Sequence, residues 1–198
     1  MSKFNLDICR AAEAEMPVER VRSLLDYESG TGHLRWLPRA NKNFNSKYAG
    51  TVAGAVNRQS GAVQVQLSLG DFTRLFWAHR IAWAHWYGEW PLSLIDHRDG
   101  DNQNNRIRNL RESDGCGNGA NRRNIVGEIP FKGVYQWKDG RFAAQIKWRH
   151  KWKWLGLHND PRDAARAYDK AALELQGEFA VTNRDLGLFL RPDARELL

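Results

Sequence analysis

Cysteine is almost missing from this chain: among 198 residues there are two, Cys9 and Cys116. Two thiols give no disulfide framework and cannot build a zinc knuckle, so a small cross-linked or metal-stapled fold is excluded. Long apolar runs are missing as well. No stretch approaches the ~18 consecutive apolar residues that a membrane-crossing helix requires. The first 20 residues, MSKFNLDICRAAEAEMPVER, lack the apolar centre of a secretory signal, so the protein is expected to act in the cytoplasm, not secreted. Acidic residues are in deficit, 23 against 30 Lys and Arg, which leaves a net charge of +7. What is abundant is aromatic: nine Trp, eight Phe and five Tyr, within a 42% hydrophobic fraction. That supply is enough for compact cores and excludes disorder throughout. At roughly 150 residues per domain, the length suits one large domain or two small ones.

The basic surplus is local. Residues 1–30 carry four basic and six acidic groups, whereas residues 128–158 carry seven basic and two acidic ones. Trp137, Trp148, Trp152 and Trp154 fall in that same basic stretch. Cations interleaved with rings suit a phosphate-bearing partner, with ammonium and guanidinium groups on phosphates and rings on sugars or bases. A plain solvated sheet face with Trp in the core has the same composition.

Residues 17–27 place Val18, Val21, Leu24 and Leu25 at helical spacing behind Pro17. His33–Leu37 reads as a short strand, and the polar residues 38–47 read as a loop. Val63, Val65, Leu67 and Leu69 alternate with Gln64, Gln66 and Ser68, which predicts a half-buried strand. Gly70-Asp71 then turns the chain into a second strand at 72–76. Trp77–Tyr87 has helical periodicity and is stopped by Gly88 and Trp90-Pro91. Its two histidines, His79 and His85, read as structural.

The next segment carries chemistry. Leu92–Ile95 is a short apolar strand that ends in Asp96-His97; Asn109 follows 12 residues after His97, and Asn118 follows 21 after it. A core does not require such a set, because buried polar groups are unfavourable unless paired. Asp99-Gly100-Asp101 suggests a calcium loop, but the remaining acidic positions and the closing Glu are missing.

Asp96-His97…Asn109…Asn118, with DGDNQNNRIRNLR between and AHRIAW…YGEWP before, resembles the HNH endonuclease motif in its phage homing-endonuclease form. The resemblance implies a ββα-metal fold, also called a His-Me finger, around one divalent cation. His97 would be the general base, and Asn109 would orient its ring. Asp96 and Asn118 would hold the metal, with Asn121 as the fallback to Asn118. Hard oxygen donors of this kind suit Mg²⁺ or Mn²⁺. The setting implied is the cytoplasm of a bacterial or phage-infected cell. Three glycines, Gly115, Gly117 and Gly119, surround Asn118, and each weakens a helix by about 1 kcal/mol relative to Ala. Without zinc-holding cysteines, packing through Trp83, Trp86, Ile95 and Leu110 should hold the local core.

Residues 131–183 show three strands (133–137, 141–149 and 152–157), with Asp139-Gly140 as a hairpin turn. A helix then opens at Pro161, carries Ala164, Tyr168, Ala171, Ala172 and Leu175 on one stripe, and ends at Gly177. GVY, RFAAQI, WLG, AARAYDKAALELQGE and the closing Asn183 resemble the APETALA-two/ethylene-response-factor type of DNA-binding domain. Strand parity turns Phe142, Ala144, Ile146 and Trp148 inward, and Arg141, Gln145, Lys147 and Arg149 outward. Leu155 matches the family's inward Leu, which puts Trp152 and Trp154 outward. By position, Lys132, Tyr135, Trp137, Arg141, Lys147, Trp152 and Trp154 occupy the family's DNA-contact sites. Tyr135 and Trp137 stand where the plant domains carry Arg, so base preference should differ.

The expected architecture is α+β. An N-terminal helix and β-hairpin region spans 1–72, and an HNH nuclease domain spans 73–125. A linker at 126–131 leads to a DNA-binding domain at 132–183, in which a three-stranded antiparallel sheet packs on one helix, and a tail covers 184–198. The expected function is metal-dependent hydrolysis of duplex DNA, one strand per active site. The partner is double-stranded DNA, with no membrane and no small-molecule cofactor; a monomer suffices, and a dimer would permit a double cut. The alternative is a non-catalytic DNA-binding regulator on a nuclease scaffold.

Overall fold

In the computed structural model, which describes residues 3–69, 72–123, 125 and 127–190, the chain divides into two units at Asp114/Gly115. The first opens with α1 (Lys3–Ala14) and α2 (Val18–Leu24). The expected helix over 17–27 is shorter because Leu25 and Tyr27 alternate with Asp26 and Glu28. That two-residue period makes β1 (Leu25–Glu28), antiparallel to β2 (His33–Trp36). Residues 38–47, expected as a loop, contain α3 (Lys42–Tyr48). It has no buried residue and so no apolar stripe to read. Asn41 caps it by accepting from Phe44 N, and the Phe44 ring sets its edge against Trp36 at 5.7 Å.

β3 (Ala55–Val56), β4 (Val63–Leu69) and β5 (Phe72–Trp77) form an antiparallel sheet with β4 in the centre. Val65 and Leu67 are buried between exposed Gln66 and Ser68, as the alternation requires. The expected turn at Gly70-Asp71 lies outside the described residues. α4 (Ala78–Tyr87) ends where Gly88 adopts φ 84°, a left-handed conformation that glycine takes without strain. β6 (Leu94–His97) and β7 (Leu110–Ser113) then pair antiparallel.

One apolar core joins Val21, Leu24, Tyr27, Leu34, Val65, Phe76 and Ile81 to Ile95 and Leu110. Among the described residues, those of 1–72 share a core with the β6–β7 hairpin. Trp83 packs against that core, but Trp86 is 52% exposed. The place expected for Trp86 is filled by Trp90, stacked on Phe76 at 5.7 Å and donating its indole N–H to Met16 O.

The second unit begins with α5 (Gly115–Ala120), so the helix expected to complete the nuclease segment counts with the carboxy-terminal module. There β8 (Val134–Gln136), β9 (Phe142–Trp148) and β10 (Lys151–His158) form an antiparallel sheet with β9 central, backed by α6 (Pro161–Gln176). Asp160 caps α6, and Pro161 occupies its first turn. Ala164, Ala165, Tyr168, Ala171 and Ala172 are buried against the sheet's Val134, Phe142, Ala144 and Ile146. Gly133 has φ 75°, and a Cβ there would lie 2.0 Å from the Tyr168 ring, so the close approach of strand and helix needs glycine. Asn183 is fully buried and closes the module: its Oδ1 accepts from Lys132 N at 2.6 Å, and its Nδ2 donates to Asp169 at 2.8 Å. No helix among the described residues is long and apolar enough to cross a membrane.

Candidate functional site

The β6–β7 register sets Asp96 opposite Arg111 and His97 opposite Leu110. Both Asp96 and His97 are buried. Arg111 delivers two donors to Asp96 Oδ2, Nε at 2.9 Å and Nη2 at 2.7 Å. This fork holds the carboxylate in one orientation. The His97 ring is held through Nε2, 3.0 Å from Oδ1 of buried Asn105. An amide oxygen only accepts, so this contact makes Nε2 the hydrogen-bearing nitrogen.

That geometry corrects one expected role. Asn109 was to orient His97, but its side chain holds the connecting loop instead. Its Nδ2 donates to Asp99 Oδ1 at 2.9 Å and to Asn104 O at 2.8 Å, while its Oδ1 accepts from Asp99 N. Asp99 also accepts from Asn104 Nδ2 at 2.6 Å. Burial alone would raise the Asp99 pKa. The bonds from the Asp101 N–H, Asn104 and Asn109 outweigh it and hold the carboxyl below its ordinary value. Asn105, Asn104 and Arg111 carry no signal in the sequence, and Asp99 there suggests only a calcium loop. Within NQNNR, nothing local separates Asn105 from Asn104.

His79 on α4 sets its ring edge-to-face against His97, centroids 5.2 Å apart, and is 4% exposed. Neither of its ring nitrogens has a hydrogen-bond partner. Burial, then the nearby His97 and Arg80, push its pKa well below 6.5, so it stays neutral. As pH falls below 6.5 the unfolded chain takes up a proton at this position and the folded chain does not, so stability drops. His79→Phe should flatten the fall of unfolding free energy below that pH by up to about 1.4 kcal/mol per pH unit. Urea unfolding at a series of pH values measures it, and equal slopes for the two proteins would contradict it.

Asn118 lies on α5. Its Oδ1 is buried without a hydrogen-bond partner, an unsatisfied hard donor of the kind a divalent cation takes. Asn121 follows α5 and is buried. The described residues hold no cluster of three or more His, Cys, Asp or Glu. The carboxylate and amide donors fit Mg²⁺ or Mn²⁺ in chemical type.

On the carboxy-terminal sheet, Lys147 pairs with Trp152 and Gln145 with Trp154 across β9 and β10, which puts these four on one face. Trp152 is 63% and Trp154 48% exposed. The Trp137 ring meets Trp154 at 5.3 Å and Tyr135 at 6.2 Å, and the Lys147 ammonium lies 5.5 Å from the Trp152 ring. Such a face is apolar and cationic at once. Arg149 is exposed in the β9–β10 turn, in a left-handed conformation with φ 47°. Arg141 is exposed and forked onto Asp139.

Lys132 departs from its expected place on the contact face. Its ammonium turns to Ala120 O at 2.8 Å and Val181 O at 3.1 Å. Burial, then Arg123, pulls its pKa down to about 8. The side chain closes the start of the module.

Residues 76–114 match the family model for HNH endonucleases. The carboxy-terminal segment is 54% identical over 54 residues to an AP2/ERF and B3 domain-containing protein of Oryza sativa subsp. japonica, a stretch covering 27% of this chain and 17% of that protein. It is 50% identical over 58 residues to ethylene-responsive transcription factor 3 of Nicotiana tabacum, covering 28% of this chain and 26% of that one. The chain thus spans about a sixth and a quarter of the lengths of these two curated relatives. A solved structure titled for DNA binding and cleavage by the HNH homing endonuclease I-HmuI superposes at TM-score 0.35 and 23% identity, over 46% of each chain. This chain therefore joins a segment that matches the HNH endonuclease model to a segment similar to AP2/ERF proteins.

Proposed function

We propose that this protein is a DNA endonuclease that grips duplex DNA with the carboxy-terminal sheet and hydrolyses a phosphodiester at the β6–β7 hairpin. One observation carries the reading: within the segment that matches HNH endonucleases, the His97 imidazole is held by its Nε2 on a buried amide. Nδ1 of His97 is then the basic atom that takes a proton from the attacking water, a role worth about 10²–10⁴ in rate. Asp96, held by Arg111, and Asn118 are the oxygen donors proposed for Mg²⁺ or Mn²⁺, which when bound supplies positive charge at the departing oxygen. A single Asp-His…Asn…Asn set per chain implies one strand cut per molecule, and a monomer is sufficient.

On the sheet, Lys147 supplies charge to phosphate, while Trp137, Trp152 and Trp154 supply flat apolar surface to sugars or bases. Supercoiled plasmid should become nicked circle with Mg²⁺ or Mn²⁺ and stay intact with a chelator. Intact plasmid under every metal, with DNA still bound, would make the chain a binding protein only. Lys147→Ala should weaken binding alike across sequences and lower the slope of log affinity against log salt by about 1. Titrations at three salt concentrations test this, and an unchanged slope would take Lys147 out of the interface.

A further inference from the structure

Neither β1 nor β2 carries a residue with a chemical role in the proposed reaction, yet this hairpin meets residues 105 and 106 of the connecting loop at three points. The Tyr27 hydroxyl, buried, donates to Asn105 O at 2.7 Å. Arg106 Nε donates to Gly30 O at 2.7 Å. Gly32, at φ 81°, lies so close that a Cβ there would sit 2.5 Å from Arg106 N and 2.6 Å from Asn105 C. The main chain of Asn105 is thus fixed by the first hairpin, while its side chain holds His97 Nε2. Burial pushes the Tyr27 phenol up to about 12, so it remains a donor throughout the neutral range.

We propose that the β1–β2 hairpin positions the His97 imidazole through Asn105, with Tyr27 and Gly32 as the positioning residues that keep the hydrogen on Nε2 and the lone pair on Nδ1. A side-chain amide on a short loop would otherwise turn over and offer the ring its NH₂, which favours the opposite tautomer. Anchoring the Asn105 carbonyl, with Gly32 packed against the peptide that follows it, removes that freedom. The consequence for rate rests on the endonuclease reading; the tautomer does not.

The test is long-range ¹H–¹⁵N spectroscopy of histidine-labelled full-length protein at pH 8, with the His97 signal assigned by its loss in His97→Gln. The wild type should show the Nε2–H form. Asn105→Leu should give a mixture of tautomers, and Tyr27→Phe, which keeps the ring and its packing, should give a smaller shift the same way. Asn105→Asp retains an acceptor oxygen and should restore the Nε2–H form, which separates orientation from general loss of structure. In plasmid nicking, Asn105→Leu should lower kcat by about 10–100-fold with KM within about twofold of wild type. A wild-type ring carrying its hydrogen on Nδ1, or tautomers unmoved by Asn105→Leu, would overturn the proposal. Tautomers that shift as expected in a protein that nicks nothing would uphold the positioning role and remove the endonuclease reading instead.

Discussion

His97→Ala should slow plasmid nicking by about 10²–10⁴-fold while leaving DNA affinity within about twofold. His97 is buried in the first unit, and the grip is assigned to the exposed face of a sheet that has its own core. Removing the imidazole takes away the atom that accepts the proton from water and changes nothing on that face. It also leaves the Asn105 amide oxygen without its ring partner, a loss of about 1–3 kcal/mol in stability. Rates should therefore be measured well below the unfolding temperature. His97→Gln fills more of the space and should be equally slow. Parallel loss of binding and cutting would mean that His97 supports the fold, and that the base lies elsewhere.

Glu13→Ala should have the largest effect on stability. Arg80 is 1% exposed and forked onto Glu13, Nε to Oε1 at 2.5 Å and Nη2 to Oε2 at 2.8 Å. The same guanidinium donates to Ser93 O at 2.7 Å and Pro91 O at 2.8 Å, fastening the chain just ahead of β6. Removing the carboxylate leaves a buried cation uncompensated, which is expected to lower unfolding free energy by about 3–5 kcal/mol. The double change Glu13→Leu with Arg80→Met removes both charges and should recover most of that loss, because an apolar pair of similar volume is often no worse than a buried ion pair. Denaturant midpoints read both results. A loss below about 1 kcal/mol in the single variant would show that water reaches the pair.

The elements that were legible in the sequence are those whose packing follows a short period. Val65 and Leu67 alternate with Gln66 and Ser68, and Ala164, Tyr168, Ala171 and Ala172 recur at helical spacing; both sets are buried where the period puts them. Parity along β9 likewise leaves Lys147 exposed while Phe142, Ala144 and Ile146 are buried. What was illegible depends on partners far along the chain. α3 rests on a cap and a ring contact and has no apolar stripe. Lys132 sits at a family contact position, yet its ammonium is drawn to two carbonyls near the ends of the module. Asn105 differs from Asn104 only by what Tyr27 does 78 positions away. Asp96 and His97 close β6, the strand end at which the apolar run Leu92–Ile95 places them. Their supports, Arg111 and Asn105, needed the register and the loop.

The most direct measurement is to incubate the full chain with a random-sequence duplex library and Mg²⁺ or Mn²⁺, then sequence both the cut ends and the protected DNA. Breaks are expected in one strand per bound molecule, and none from His97→Ala. Library DNA that is bound and protected but recovered whole with either metal would contradict the endonuclease reading.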